Sequence, residues 1–165
     1  MTLAAMTGLV QAGELAVGES IPSIKAKNHD NKPIDLEAVS QQGWMLVYFY
    51  PQSSTPGCTN QACSLRDSFT QLTQRGVQIY GVSNDRMSQQ KKFVEDYQLP
   101  FDLLPDKSKR IIHSFGVSSS LGFAKRQAYL FKDGVLVWRD LKASTHQQAA
   151  DVLAQIERLS SLSIP

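Results

Sequence analysis

Residues 45–50 are the feature of the sequence that most limits its possible folds. They read Met-Leu-Val-Tyr-Phe-Tyr, all apolar or aromatic, and Pro51 ends the run. A continuous run of this kind is typical of a strand that is buried on both faces, in a sheet covered by helices on each side. The run is far too short to span a bilayer, so we expect no membrane partner.

Predicted helices and strands alternate along the rest of the chain. Apolar residues recur at steps of three and four over 62–72, which predicts an amphipathic helix that ends at Gly76. The other predicted elements are, in order, a hairpin over 24–36, a buried strand over 77–82, a helix around 93–97 with Ser88 as its N-cap, a short strand over 101–104, a short helix around 111–115, a hairpin with an Asp-Gly turn over 128–137, and a final helix over 149–159.

This order predicts an α/β fold with a mixed central sheet that is flanked by helices and preceded by an N-terminal β-hairpin. The length of 165 residues suits a single domain, which we place at 18–165 after an N-terminal leader at 1–17. The leader has a short apolar stretch, but no positive residues precede it, which disfavours a secretory signal. We expect a cytoplasmic protein, with an exported or processed form as the alternative.

Charge and cysteine content exclude several functions. Lys and Arg together number 17 and Asp and Glu 15, so the chain is close to neutral and offers no basic stripe for nucleic acid. The only cysteines are Cys58 and Cys63, and no histidine lies near them in sequence. Two cysteines cannot form a four-ligand zinc or iron–sulfur site, and they do not make a disulfide-rich secreted scaffold. We therefore expect neither a metal nor another cofactor.

In open α/β sheets the functional residues lie at the carboxyl ends of the strands, and Cys58 is predicted to lie there. It follows the run at 45–50 and begins the next predicted helix, at the carboxyl edge of the sheet. Unpaired N–H groups and the helix dipole favour a thiolate there, but the dipole contributes at most about 2 kcal/mol. A second cation is therefore expected. Arg126 and Lys125 are the candidates, because they precede a strand that should end near the same edge.

The loop ahead of Cys58 adds to this predicted site. Complete ionisation of an ordinary thiol gains only about thirtyfold in reactivity at neutral pH. Any larger acceleration must come from positioning and polarising the electrophile. Thr55 can supply a hydroxyl to a bound substrate, and Pro51 and Pro56 stiffen the loop and exclude water.

The spacing between Cys58 and Cys63 constrains how the two thiols react with each other. Residues five apart in a regular helix have Cα atoms about 8.6 Å apart, whereas a disulfide needs roughly 4.4–6.8 Å. The thiols therefore cannot bond while the helix is regular. A reaction between them requires the first helical turns to unwind.

The motif Pro-x-x-x-Thr-x-x-Cys at 51–58 resembles the active-site loop of the peroxiredoxin family. The longer run Phe-Tyr-Pro-x-x-x-Thr-Pro-Gly-Cys-Thr-x-x-Ala-Cys at 49–63 resembles the peroxiredoxin Q (bacterioferritin comigratory protein) branch, and the similarity extends over about 17–159. The chain departs from the branch at Ser53 and Ser54, which replace acidic residues common just before the threonine. This departure leaves the substrate preference open.

The resemblance implies a thioredoxin-like fold and a thiol peroxidase that reduces hydrogen peroxide and organic hydroperoxides. By position, Cys58 matches the peroxidatic cysteine and Cys63 the resolving cysteine. Thr55 and Arg126 match the residues that hold thiolate and peroxide, and Pro51 matches the residue that shields the sulfenate. The resemblance also implies a monomer whose disulfide is reduced by thioredoxin or a similar dithiol reductant.

Two other functions fit part of the pattern. A thioredoxin-like thiol-disulfide oxidoreductase would prefer a Cys-x-x-Cys pair and a proline just before the strand at Gln127, and the sequence has neither. A chaperone-like binding protein would need a large exposed apolar patch, and the sequence shows no unexplained one.

Overall fold

The computed structural model of the chain describes residues 13–162. The strands are β1 (Lys25–Lys27), β2 (Pro33–Asp35), β3 (Trp44–Phe49), β4 (Val77–Ser83), β5 (Asp102–Pro105), β6 (Ser119–Ser120), β7 (Phe123–Ala124), β8 (Gln127–Lys132) and β9 (Val135–Asp140). The helices are α1 (Leu36–Ser40), α2 (Pro56–Asp67), α3 (Phe69–Gln74), α4 (Met87–Tyr97), α5 (Arg110–Ser114) and α6 (Gln148–Leu162).

The apolar run forms the central strand of the main sheet. β3 pairs in parallel with β4 on one side and antiparallel with β8 on the other, and the order of the sheet is β5-β4-β3-β8-β9. β1 and β2 pair antiparallel as a separate hairpin. The predicted α/β fold, with its mixed central sheet and N-terminal hairpin, is therefore confirmed.

Side chains alternate along β3 between two apolar layers. Leu46 and Tyr48 belong to one layer, which also contains Cys58 and buried residues of α2, α3, α4 and α6. Met45 and Phe49 belong to the other, which contains buried residues of α1, α5 and β8. Both faces of β3 are covered, as the unbroken apolar pattern predicted.

Two of the predicted helices differ from the sequence pattern. The helix predicted over 62–72 is two helices, α2 and α3, which meet at Ser68 with φ −102° and ψ 10°. Serine suits such a junction because its side chain competes for backbone hydrogen bonds. The N-cap prediction for Ser88 is wrong, because α4 begins after Arg86, whose backbone N–H donates to Gln89 Oε1 (2.8 Å).

α1, β6 and β7 were not predicted. β6 and β7 have two residues each, which is too few for a periodic signal. None of the helices in the described part of the chain is both long and apolar enough to cross a membrane.

Residues 13–20 run along the domain and are hydrogen-bonded to it. The Leu15 N–H donates to the Phe115 carbonyl (2.9 Å), and the Gly18 N–H donates to the Leu136 carbonyl (2.8 Å). Arg139 Nη1 donates to the Leu15 carbonyl (2.7 Å). Of the predicted leader at 1–17, residues 1–12 lie outside the described part of the chain, and residues 13–17 are packed on the domain. Its boundary at 17 stays a prediction.

Tyr48 on β3 is buried directly opposite Gly81 on β4. A Cβ atom at Gly81 would lie 2.7 Å from Tyr48 Oη and 2.6 Å from Leu103 Cδ2, so glycine is required for the ring to fit. The Tyr48 hydroxyl has no hydrogen-bond partner among residues 13–162. Burial raises the pKa of Tyr48 well above its ordinary value. The central strand therefore carries a buried polar group whose lost hydration is not compensated.

Tyr48→Phe should raise the free energy of unfolding by about 1 kcal/mol, because it removes a buried hydroxyl that makes no hydrogen bond. Tyr129→Phe is the matched control in the adjacent strand, where the hydroxyl donates to Gln127 Oε1 (2.7 Å). It should lower the free energy of unfolding by about 1 kcal/mol. Urea denaturation measures both, and an equal loss of stability in the two variants would contradict the interpretation of Tyr48.

Candidate active site

Cys58 lies in the first turn of α2. The helix begins at Pro56, where a backbone N–H is not needed, and Thr55 is its N-cap in an extended conformation (φ −84°, ψ 154°). The Cys58 side chain is 1% exposed and its thiol is free. The sulfur is therefore buried beside the unpaired N–H groups at the positive end of a helix dipole.

Arg126 supplies the cation that this sulfur needs. β8 pairs with β3 so that Gln127 lies opposite Phe49, and Arg126 consequently lies beside the loop that follows β3. Its Nη2 donates to Cys58 Sγ (3.4 Å). Lys125, the other predicted candidate, is exposed to solvent. The structure thus brings one of the two predicted cations to the thiol.

Gly57 leaves room for the Arg126 guanidinium. A Cβ atom at Gly57 would lie 3.0 Å from Arg126 Nη2 and 3.7 Å from its Cζ. Any larger residue would push against the group that contacts Cys58. Gly57 has no positive φ, so the close approach of the arginine is the reason for glycine here.

Two buried glutamine side chains continue from Arg126. Its Nη1 donates to Gln61 Oε1 (2.5 Å), and Gln61 Nε2 donates to Gln148 Oε1. Gln61 lies on α2, one turn after Cys58, and Gln148 is the first residue of α6. Both are fully buried, at 0% and 1% exposed. The guanidinium is therefore held by α2 directly and by α6 through Gln61, and these two helices pack against each other.

Asp85 fixes the loop between β3 and α2. Its buried carboxylate oxygen Oδ2 accepts from the Ser53 backbone N–H (2.8 Å) and from the Ser83 hydroxyl (2.7 Å). Ser53 Oγ lies 3.0 Å from the Tyr50 hydroxyl, and burial raises the pKa of Tyr50 above its ordinary range. Ser53, which departs from the family pattern, is thus bound on both its backbone and its side chain.

Thr55 and Pro51 occupy the same loop. The Thr55 hydroxyl donates to the Gln52 carbonyl (2.8 Å), and its oxygen remains able to accept a hydrogen bond. Thr55 and Pro51 are both half-buried. The loop therefore offers a hydroxyl and a stiff proline next to a buried sulfur.

Cys63 lies further along α2 and is partly exposed, with a free thiol. α2 is helical over both cysteines, from Pro56 to Asp67. Near its end, Arg66 Nη1 donates to the Tyr97 carbonyl at the end of α4 (2.8 Å). The C-terminal end of α2 is thereby attached to a second helix.

Three residues of this site were not predicted: Asp85, Gln61 and Gln148. Two signals could have indicated the first two. Asp85 follows β4, the strand parallel to β3, so both strands end at one edge. Gln61 lies three residues after Cys58, close to one face of the helix. Gln148 has no such signal, because it is far from the loop in sequence.

Within residues 13–162, no three His, Cys, Asp or Glu side chains form a group that could hold a metal ion.

Comparison with known proteins places these observations in a family. The model of the AhpC/TSA family matches residues 17–139. Peroxiredoxin Q of Triticum aestivum, described as chloroplastic, is 37% identical over 136 residues, which are 81% of this chain and 62% of that protein. The chloroplastic peroxiredoxin Q of Populus jackii is 38% identical over 122 residues, 72% of this chain and 57% of that protein. The chain thus spans less than two thirds of the length of these curated relatives.

Solved structures share the fold. The peroxidoxin BcpB of Mycobacterium tuberculosis superimposes with a TM-score of 0.82 at 25% identity, covering 88% of this chain and 98% of that one. A cysteine-to-serine mutant of PrxQ from Xylella fastidiosa gives a TM-score of 0.83 at 18% identity, covering 90% and 99%. These likenesses confirm the predicted thioredoxin-like fold. With the match over 17–139 and the similarity to peroxiredoxins Q, they show that the chain belongs to the AhpC/TSA family of peroxiredoxins.

Proposed function

We propose that the chain is a thiol peroxidase that reduces hydrogen peroxide and organic hydroperoxides at Cys58. The observation that carries the proposal is the contact of 3.4 Å between Arg126 Nη2 and the buried Cys58 sulfur at the start of a helix. The Cys58 thiolate attacks one peroxide oxygen, an S–O bond forms and the O–O bond breaks. The sulfur is oxidised to a sulfenic acid, and the other oxygen leaves as an alkoxide or hydroxide and takes up a proton.

The site stabilises this reaction in two ways. The helix dipole and the guanidinium of Arg126 both place positive charge beside the Cys58 sulfur. The peroxide must also be positioned in line with the sulfur. We assign this role to the guanidinium of Arg126 and the hydroxyl of Thr55, and we assign to Pro51 the shielding of the sulfenic acid from water.

Cys63 is the proposed resolving residue. Its thiolate attacks the sulfur of the Cys58 sulfenic acid, so that an S–S bond forms and the S–O bond breaks, and the hydroxide that leaves takes up a proton to become water. The helical spacing of about 8.6 Å between their Cα atoms is too long for this bond. The step therefore requires the first turns of α2 to unwind, while the link from Arg66 to α4 keeps the end of the helix in place.

The cycle closes when thioredoxin, or a dithiol of similar chemistry, reduces the Cys58–Cys63 disulfide by two electrons and two protons. We propose that the protein works as a monomer in the cytoplasm. The peroxiredoxins Q of Triticum aestivum and Populus jackii are described as chloroplastic.

Cys58→Ser should abolish peroxide consumption, since a serine hydroxyl cannot form the sulfenic acid. Cys63→Ser should reduce peroxide in a single turnover and then stop, because no intramolecular disulfide can form. NADPH oxidation coupled through thioredoxin reductase and thioredoxin measures turnover, and a stoichiometric peroxide assay measures the first step. Peroxide consumption by Cys58→Ser at the wild-type rate would exclude the proposed peroxidase.

Oxidation with one equivalent of peroxide should unwind about two turns of α2. Far-UV circular dichroism should show a loss of helix, and hydrogen exchange should show that amides around 59–63 lose protection. The Cys63→Ser variant is the control, since its oxidised form has no disulfide and should keep the helix. An oxidised protein with a Cys58–Cys63 disulfide and unchanged protection of these amides would contradict the unwinding step.

Arg126→Ala should slow the reaction with peroxide roughly 100-fold, the usual effect of removing a donor that stabilises developing charge. Lys125→Ala is the matched control, because Lys125 is the neighbouring cation but is exposed. It should react at nearly the wild-type rate. Stopped-flow measurement of the second-order rate constant compares them, and equal rates in the two variants would remove Arg126 from the site.

A further inference from the structure

Gln148 is a buried residue that makes no hydrogen bond to Cys58 or Thr55 and has no assigned part in the proposed reaction. It begins α6 and is 1% exposed, and its Oε1 accepts from Gln61 Nε2. Its own Nε2 is buried and has no hydrogen-bond partner among the described residues. Buried amide groups normally have every polar atom paired. An apolar side chain would fill this buried position without the cost of burying an amide. The acceptor oxygen of Gln148 therefore indicates a role beyond packing.

The charge of Arg126 determines how both amides are oriented. A guanidinium carries only donors, so the Gln61 atom facing Arg126 Nη1 must be the carbonyl oxygen. The Gln61 NH₂ group must then face Gln148, and only an acceptor on Gln148 satisfies it. The direction of the chain of hydrogen bonds thus runs from Arg126 through Gln61 to Gln148, with no freedom for either amide to flip.

The segment that carries Gln148 also holds the backbone of Arg126. The Ala143 N–H donates to the Arg126 carbonyl (3.1 Å). Ser144 Oγ accepts from the His146 N–H (3.1 Å) and the Gln147 N–H (3.0 Å), which fixes the turn that leads into α6. Arg126 is therefore attached to residues 143–148 twice, by its carbonyl group directly and by its guanidinium through Gln61.

From this geometry we infer that Gln148 is a positioning residue that acts through Gln61 to hold the Arg126 guanidinium against Cys58. The inference rests on the proposed function, since it gives Arg126 its role at the thiolate. Without the acceptor on Gln148, the Gln61 amide is free to rotate and can turn its NH₂ group toward the guanidinium. Two donors would then face each other, and Arg126 would lose its fixed orientation at the sulfur.

The same chain of hydrogen bonds depends on α2 being helical. Gln61 lies between Cys58 and Cys63, in the part of α2 that the proposed resolution step unwinds. Unwinding breaks the hydrogen bonds of Gln61 to Arg126 and Gln148. Arg126 is therefore held in a fixed orientation only while α2 is folded, which is the state in which Cys58 can react with peroxide. Gln148 thereby connects the orientation of the arginine to the state of the helix.

The test compares Gln148→Met with Gln148→Glu. Methionine matches glutamine in length but offers no comparable acceptor, whereas glutamate keeps an oxygen at the same reach. We expect Gln148→Met to lower the second-order rate constant with hydrogen peroxide about tenfold, and Gln148→Glu to recover most of the rate. Circular dichroism establishes that each variant is folded. A wild-type rate in Gln148→Met, or an equal loss in Gln148→Glu, would overturn the inference.

A double-mutant cycle tests whether Gln148 acts through Gln61. Gln61→Met should slow the reaction at least as much as Gln148→Met, and the double variant should react no more slowly than Gln61→Met alone. Additive losses would mean that Gln148 acts independently of Gln61, and they would overturn the proposed route. If Gln148→Met does not fold, Gln148→Leu, which also lacks an acceptor, takes its place in the same cycle, and additive losses with Gln61→Met again overturn the proposed route.

A second readout separates this inference from the peroxidase assignment. Alkylation of Cys58 by iodoacetamide, measured in a Cys63→Ser background, reports the reactivity of the thiolate without any peroxide. Gln148→Met should slow alkylation and Gln148→Glu should restore it, even if the chain proves not to reduce peroxide. Unchanged alkylation in Gln148→Met would overturn the inference, while peroxide reduction that requires Cys58 would still support the proposed function.

Discussion

The pairing of β3 with both β4 and β8 is the constraint on which the site depends. β3 ends at Phe49, and the loop that follows leads directly into α2 and Cys58. Because β8 runs antiparallel to β3, it begins where β3 ends, and this brings Arg126 to the same edge. Because β4 runs parallel to β3, it ends at that edge too, and Asp85 follows it. The loop between β3 and α2 thus receives a cation from one neighbouring strand and an anchoring carboxylate from the other.

The site combines a rigid part with a part that can change. The loop is fixed by the buried carboxylate of Asp85, which binds the Ser53 backbone, and by the hydroxyl contact between Ser53 and Tyr50. The start of α2, in contrast, is hydrogen-bonded to the rest of the domain through the side chain of Gln61 and the sulfur of Cys58. A peroxidase of the proposed type needs both properties, since the peroxide step requires a fixed geometry and the resolution step requires the helix to open.

Sequence patterns predicted those features of the molecule that depend on residues close together along the chain. The apolar run at 45–50 indicated a strand covered on both faces, and the position of Cys58 after it indicated the reactive edge. The prediction that a cation would lie near Cys58 left Arg126 and Lys125 open on the residues alone. The structure decides between them, because Arg126 donates to Cys58 Sγ whereas Lys125 is exposed to solvent. The break at Ser68 escaped prediction because the apolar spacing continues across it.

Gln148 escaped prediction for a different reason: its partner Gln61 is 87 residues away, and only the packing of α6 on α2 brings the two amides together.

The hydrogen bond from Arg66 to the Tyr97 carbonyl has a consequence for how fast the protein recovers after each turnover. Starting a helix in water is slow and unfavourable, because several residues must be ordered before the first hydrogen bond is gained. Extending an existing helix by one residue is far easier. In the proposed cycle the turn around Arg66 remains helical, so it acts as a seed. Once the disulfide is reduced, the unwound residues rewind onto that seed toward Pro56 and return Cys58 to the end of the helix dipole without a new nucleation event.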